Sequence, residues 1–100
     1  MLIESISEHL LARGWHLAVA ESATGGLMGH MITKVPGSSR YFLGGVIAYA
    51  NEVKQGALGV EEESLRRWGA VSAQVAMEMA AGARQLTGAD VALSTSGIAG

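Results

Sequence analysis

The chain contains no cysteine, so neither a disulfide framework nor thiol catalysis is available to it. Aspartate is nearly missing: Asp90 stands alone. Lysine occurs only as Lys34 and Lys54. No apolar run approaches the ~18 residues of a transmembrane helix, so no membrane partner is expected. The opening "MLIESISEHLLARG" carries Glu4 and Glu8 and lacks a basic stretch followed by an apolar core, so it does not read as a signal peptide. A cytoplasmic protein is the expectation. With scattered Lys and Arg and a formal charge of −2, the chain shows no polyanion-binding surface, and nucleic acid is not an expected partner. Of His9, His16 and His30, no two have metal-ligand spacing. A Ser-His-Asp triad would need Asp90, which stands at the start of its strand and so at the wrong end of a sheet. Neither a metal nor a cofactor is expected.

Apolar residues make up 49% of the chain and charged residues 16%, a balance that suits a packed core and argues against disorder. One hundred residues make one small domain or part of a larger one. Leu2, Ile3, Ile6, Leu10 and Leu11 share one face of a first helix, with Glu4, Ser7 and Glu8 opposite and Gly14 as its stop. "WHLAVAES" reads as a buried strand ending at Ser22. Thr24 is placed to cap a second helix, which runs to the turn at Pro36-Gly37. "YFLGGVIAYA" is a second strand, its Gly44-Gly45 pair permitting a bend or a close backbone approach. Asn51 is placed to cap "NEVKQGALG", and "EEESLRRWG" forms another short helix. Ser72 caps a longer one with Val75, Ala76, Met79, Ala80 and Ala83 at helical spacing. Met28, Met31, Met77 and Met79 read as helix core. "DVALSTSGIAG" is a third strand running into a loop.

Such alternation predicts an α/β fold, layered α/β/α, with a largely parallel sheet. Three strands are few for it, and the third ends in a loop, so residues 1–100 read as a single domain incomplete at its C-terminus. The uncovered apolar surface of so small a sheet predicts a homo-oligomer.

In an open α/β sheet, ligands bind beyond the C-terminal ends of the strands. Three segments meet that description: "ESATGG", "YANEVK" and "STSGIAG". At the first, free N–H groups and a helix dipole suit an anion or a developing oxyanion. Equally, Ser22 and Thr24 are caps and the glycines only let helix and strand pack. At the second, Lys54 is either solvated on a helix face or desolvated, with a lowered pKa that lets it act as a base. At the third, Ser96-Gly97 offers a hydroxyl and an N–H, or hydroxyls that merely bond to backbone. The Tyr-x-x-x-x-Lys spacing differs by one residue from the Tyr-x-x-x-Lys of short-chain oxidoreductases, and no G-x-x-x-G-x-G loop accompanies it.

"AESATGGLMGHMITKVPGSSRYFLGGVIAYANEVKQGALGV", "GAVSAQVAMEMAAGAR" and "STSGIAG" together resemble the CinA C-terminal domain family, known as nicotinamide mononucleotide (NMN) amidohydrolases. The resemblance runs from about residue 17 to the end. It implies removal of the amide nitrogen from NMN, giving nicotinate mononucleotide and ammonia, with no cofactor. Ser22 matches the family's catalytic serine, and Tyr49 and Lys54 match its Tyr and Lys partners. Glu21, Thr24, Gly25, Gly26, Asn51, Ser96 and Gly97 fall where substrate contacts are expected. Ala23 stands where the family commonly has Cys, and Ser96 where it usually has Thr in T-G-I-A-G. Family members also continue with a Pro/Gly-rich loop, further strands and a C-terminal helix. An NMN-binding or regulatory module that does not hydrolyse its ligand is the alternative, as is an inactive fragment.

Overall fold

A computed structural model describes the backbone of residues 2–96 and the side chains of residues 3–96. Three parallel strands, β1 (Leu17–Glu21), β2 (Phe42–Ile47) and β3 (Val91–Ser94), form one sheet in the order β2-β1-β3. Helices α1 (Leu2–Arg13) and α2 (Leu27–Thr33) accompany one face. On the other lie α3 (Asn51–Leu58), α4 (Glu62–Trp68) and α5 (Ala73–Thr87). The α/β/α layering expected from the alternation of elements is present.

All five residues of the central strand β1 are buried. Its odd and even positions therefore need two apolar layers. Ala18 and Ala20 pack with Val75, Met79 and Ala83 of α5 and with Leu58 and Val60. Leu17 and Val19 pack with Leu10, Ile32 and Tyr41. Small residues let the α5 layer approach closely: a Cβ on Gly82 would lie 1.9 Å from the Leu58 carbonyl oxygen.

The Gly44-Gly45 pair meets both expectations for it. Pairing runs Leu17↔Phe42 and then Ala18↔Gly44, so Leu43 is an extra residue in β2. Gly44 adopts φ +135 there, and a Cβ on Gly45 would stand 2.1 Å from the Val19 carbonyl oxygen. A bulge and a close approach coincide.

Several side chains depart from expectation. Ser7 faces inward rather than to solvent: its Oγ donates to the Ile3 carbonyl at 2.9 Å, so the Tyr41 hydroxyl donates to it at 2.6 Å. Leu11, Met31 and Met77 are exposed, whereas helical spacing places them in the core; of the four helix methionines Met79 is fully buried. The periodicity marks a helix face but not whether a neighbouring element covers it. Asp90 sits at the N-terminal end of the sheet as expected, where its Oδ2 accepts the His16 N–H at 2.7 Å. Among the described residues no helix is long and apolar enough to cross a membrane.

Candidate functional site

Register decides what meets at the C-terminal edge of the sheet. Glu21 pairs with Ile47, and the Ala48 N–H donates to the Glu21 carbonyl at 2.7 Å. On the other side, the Thr95 N–H donates to the Ala20 carbonyl at 2.9 Å. Ser22, the Ala48–Tyr49 turn and Thr95 therefore leave the sheet side by side.

At the first junction the acid, not the hydroxyls, organises the loop. Glu21 is 1% exposed. Its Oε1 accepts the Thr24 hydroxyl at 2.6 Å, the Gly26 N–H at 3.1 Å and the Met28 N–H at 2.9 Å. Its Oε2 accepts the Gly29 N–H at 2.9 Å. Burial by itself would raise the carboxyl's pKa, but the Thr24 hydroxyl and the N–H groups of Gly29, Met28 and Gly26 together hold it below the usual value. The acid is a buried anion that caps α2 from the preceding strand.

Two expectations change with it. Thr24 does not cap α2: the N-cap is Gly26 at φ 106, with no side-chain cap bond of its own, and the Thr24 hydroxyl donates to Glu21. Of the N–H groups from Thr24 to Gly26, that of Thr24 alone stays open among the described residues. Those of Gly25 and Gly26 bond to the Ser22 carbonyl and to Glu21, and the carboxylate already occupies the helix's positive end. Glu21, expected as a substrate contact, has both oxygens engaged by the chain itself. Among the described residues the N–H groups of Ala23 and Thr24 donate to no protein atom.

Ser22 is 6% exposed, and its Oγ has no hydrogen-bond partner among the described residues. Its N–H points to Thr95 Oγ1 at 3.5 Å.

At the second junction, Lys54 is 2% exposed, which answers the question its sequence left open. Its Nζ donates to the Tyr49 carbonyl at 2.8 Å. Burial pushes its pKa below the ordinary lysine value, and the Glu52 charge draws it partly back. Tyr49 turns outward: it is 71% exposed, and its hydroxyl has no partner among the described residues. Lys54 thus contacts the backbone of Tyr49, not its phenol. Asn51 is the first residue of α3 and exposed; the cap position belongs to Ala50, and Asn51 makes no side-chain cap bond.

At the third junction, Ser94 Oγ donates to the Ala76 carbonyl of α5 at 2.7 Å, a packing bond. Thr95 reaches the site instead, meeting Thr24 Oγ1 at 2.8 Å. Sequence reasoning misses Thr95, because three hydroxyls in a row give no means of telling which will face the first loop. Ser96 is half-buried with no side-chain hydrogen bond among the described residues. Gly97 lies outside the described residues. Among the described residues no cluster of acids and histidines could hold a metal.

The family model of the CinA C-terminal domain matches residues 1–100. A CinA-like protein of Chloroherpeton thalassium is 54% identical over 99 residues, covering 99% of this chain and 24% of that protein. A putative competence-damage inducible protein of Halothermothrix orenii is likewise 54% identical over 99 residues, again 24% of its length. Among solved structures, the competence damage-inducible protein A of Klebsiella pneumoniae superposes with a TM-score of 0.95 at 36% identity, covering 99% of this chain and 62% of that one. A CinA superfamily protein of Enterobacter cloacae gives 0.96 at 34% identity, with 99% and 59% covered. The chain thus spans about a quarter of the length of these curated relatives. With a family match over its full length and relatives that share both sequence and fold, this chain belongs to the CinA C-terminal domain family.

Proposed function

We propose that the site is that of an amidohydrolase acting on the carboxamide of NMN. The observation that carries the reading is Lys54: a lysine at 2% exposure, its pKa lowered by burial, at the edge where ligands of α/β sheets bind. Burial of that kind disfavours the charged form and suits a residue that takes up and returns a proton. Ser22, with its Oγ unengaged among the described residues, supplies the nucleophile.

Ser22 Oγ attacks the carboxamide carbon as its proton passes to the neutral amine of Lys54. The oxygen of the tetrahedral intermediate is stabilised by N–H groups still open to it, those of Ala23 and Thr24. The Lys54 ammonium returns the proton to the departing nitrogen, ammonia leaves, and an acyl-serine remains. Water, deprotonated by the same amine, releases nicotinate mononucleotide. Tyr49, exposed at the rim, contacts the substrate rather than relaying Lys54's proton. Asn51 and Ser96 line the same edge.

The test is ammonia release from NMN by the folded chain. Ser22→Ala should abolish it. Lys54→Ala should lower turnover by about 10²–10⁴-fold while circular dichroism stays native. Turnover near wild type in Lys54→Ala would refute the base assignment. NMN binding by calorimetry without ammonia release would identify a nucleotide-binding module instead.

A further inference from the structure

The hydroxyls of Thr24 and Thr95 lie 2.8 Å apart, and geometry alone leaves their donor open. The surroundings settle it. A threonine hydroxyl has one proton, and that of Thr24 is committed to Glu21 Oε1 at 2.6 Å. The proton between the two threonines must therefore come from Thr95. Its oxygen is left as an acceptor, and the Ser22 N–H is the donor that faces it, at a long 3.5 Å. The chain of bonds runs one way only, from Ser22 N–H to Thr95, from Thr95 to Thr24, and from Thr24 to the Glu21 carboxylate. Each charge-assisted or polarised link strengthens the next. The Thr95 backbone is fixed independently by its N–H bond to the Ala20 carbonyl, so the side chain acts from a firm base.

We infer that Thr95 is a positioning residue: its hydroxyl latches the loop after β3 to the loop after β1 and holds the backbone of Ser22 in place for attack. The Ser22 N–H is thereby taken up by Thr95 and does not serve as an oxyanion donor. Valine at position 95 would match threonine in shape and lose both bonds, whereas serine would keep both. The positioning role rests on the amidohydrolase reading; the latch itself rests on the three distances above.

The experiment compares Thr95→Val with Thr95→Ser in the full 100-residue chain, reading kcat and KM for NMN alongside exchange of the Ser22 amide proton by NMR. In Thr95→Val, Ser22 amide exchange should quicken about fivefold and kcat fall about fivefold, with KM within about twofold. Thr95→Ser should restore both. Thr24→Val removes the acceptor of the Thr95 proton and should quicken the same amide, which keeps the test alive if Thr95→Val fails to fold. Unchanged Ser22 exchange in folded Thr95→Val overturns the latch whatever the rate does. Quickened exchange with unchanged kcat upholds the latch and overturns the positioning role. Absence of ammonia release from wild type refutes the amidohydrolase reading and the positioning role with it, and amide exchange then decides the latch alone.

Discussion

At the scale of single residues, two buried charges pull stability in opposite directions. Glu21 has a folded pKa below its usual 4.5, as does Glu78, whose carboxylate accepts the Ser64 hydroxyl, the Glu61 N–H and the Gln74 amide. Unfolding raises each pKa, so each contributes stability that is complete above about 4.5 and lost as pH falls through the folded value. Glu21→Gln should cost about 3 kcal/mol near pH 7, because an amide NH₂ would face backbone donors. It should also flatten the acid limb of the stability profile, measured by denaturant unfolding from pH 7 to pH 3. Lys54 behaves oppositely. Its folded pKa lies below 10.5, so the unfolded chain binds more protons, and stability rises with pH from the folded value up to the unfolded one. Lys54→Met removes that burden. It should raise the unfolding midpoint by roughly 4–8 °C, about 1 kcal/mol, while turnover is lost. A lower midpoint would mean that the bond to the Tyr49 carbonyl outweighs the burial.

Among the elements, glycine context separates necessity from accident. Gly82 in α5 faces the Leu58 carbonyl so closely that Gly82→Ala must push α5 away from α3; a loss of about 3 kcal/mol or more is expected by thermal denaturation. Gly56 in α3 has open space around it, so Gly56→Ala should stabilise by about 0.5–1 kcal/mol. Element order, strand direction and the three junctions were legible in the sequence because alternating apolar period and glycine stops report local structure. The caps of α2 and α3 were not. Local rules look for a hydroxyl or amide within three residues of a helix start, whereas Glu21 reaches α2 from five to eight residues upstream. The inward turn of Ser7 was hidden for a related reason: its partner Tyr41 is 34 residues away. Lys54 and Thr95 likewise needed the fold, since burial and the pairing of distant loops leave no mark on spacing.

At the scale of the whole molecule, an apolar face lies open between α1 and β3 among the described residues. A cleft of about 460 Å³ opens there, lined by Ile6, Leu10, Trp15, Leu17, Val91 and Leu93, and Trp15 and Leu93 are exposed. Apolar surface of this extent favours association. The chain should therefore unfold at a midpoint that rises with protein concentration, and Leu93→Lys should remove that dependence. A midpoint independent of concentration in the unsubstituted chain would argue for a monomer.

The bulge in β2 carries a counting rule. Side chains alternate across a sheet, so a residue added to a strand reverses the parity of everything after it unless a bulge absorbs it. Leu43 is the odd residue. Because the bulge absorbs it, Val46 still stands opposite Ala20 and packs toward the α5 layer. Deleting Leu43 alone would close the bulge, leave Gly44 opposite Ala18 and keep every later β2 side chain in its layer. That tolerance is confined to the bulge: from Gly44 to Ile47 the pairing with β1 is regular, and a single-residue indel there would act as a frameshift in space.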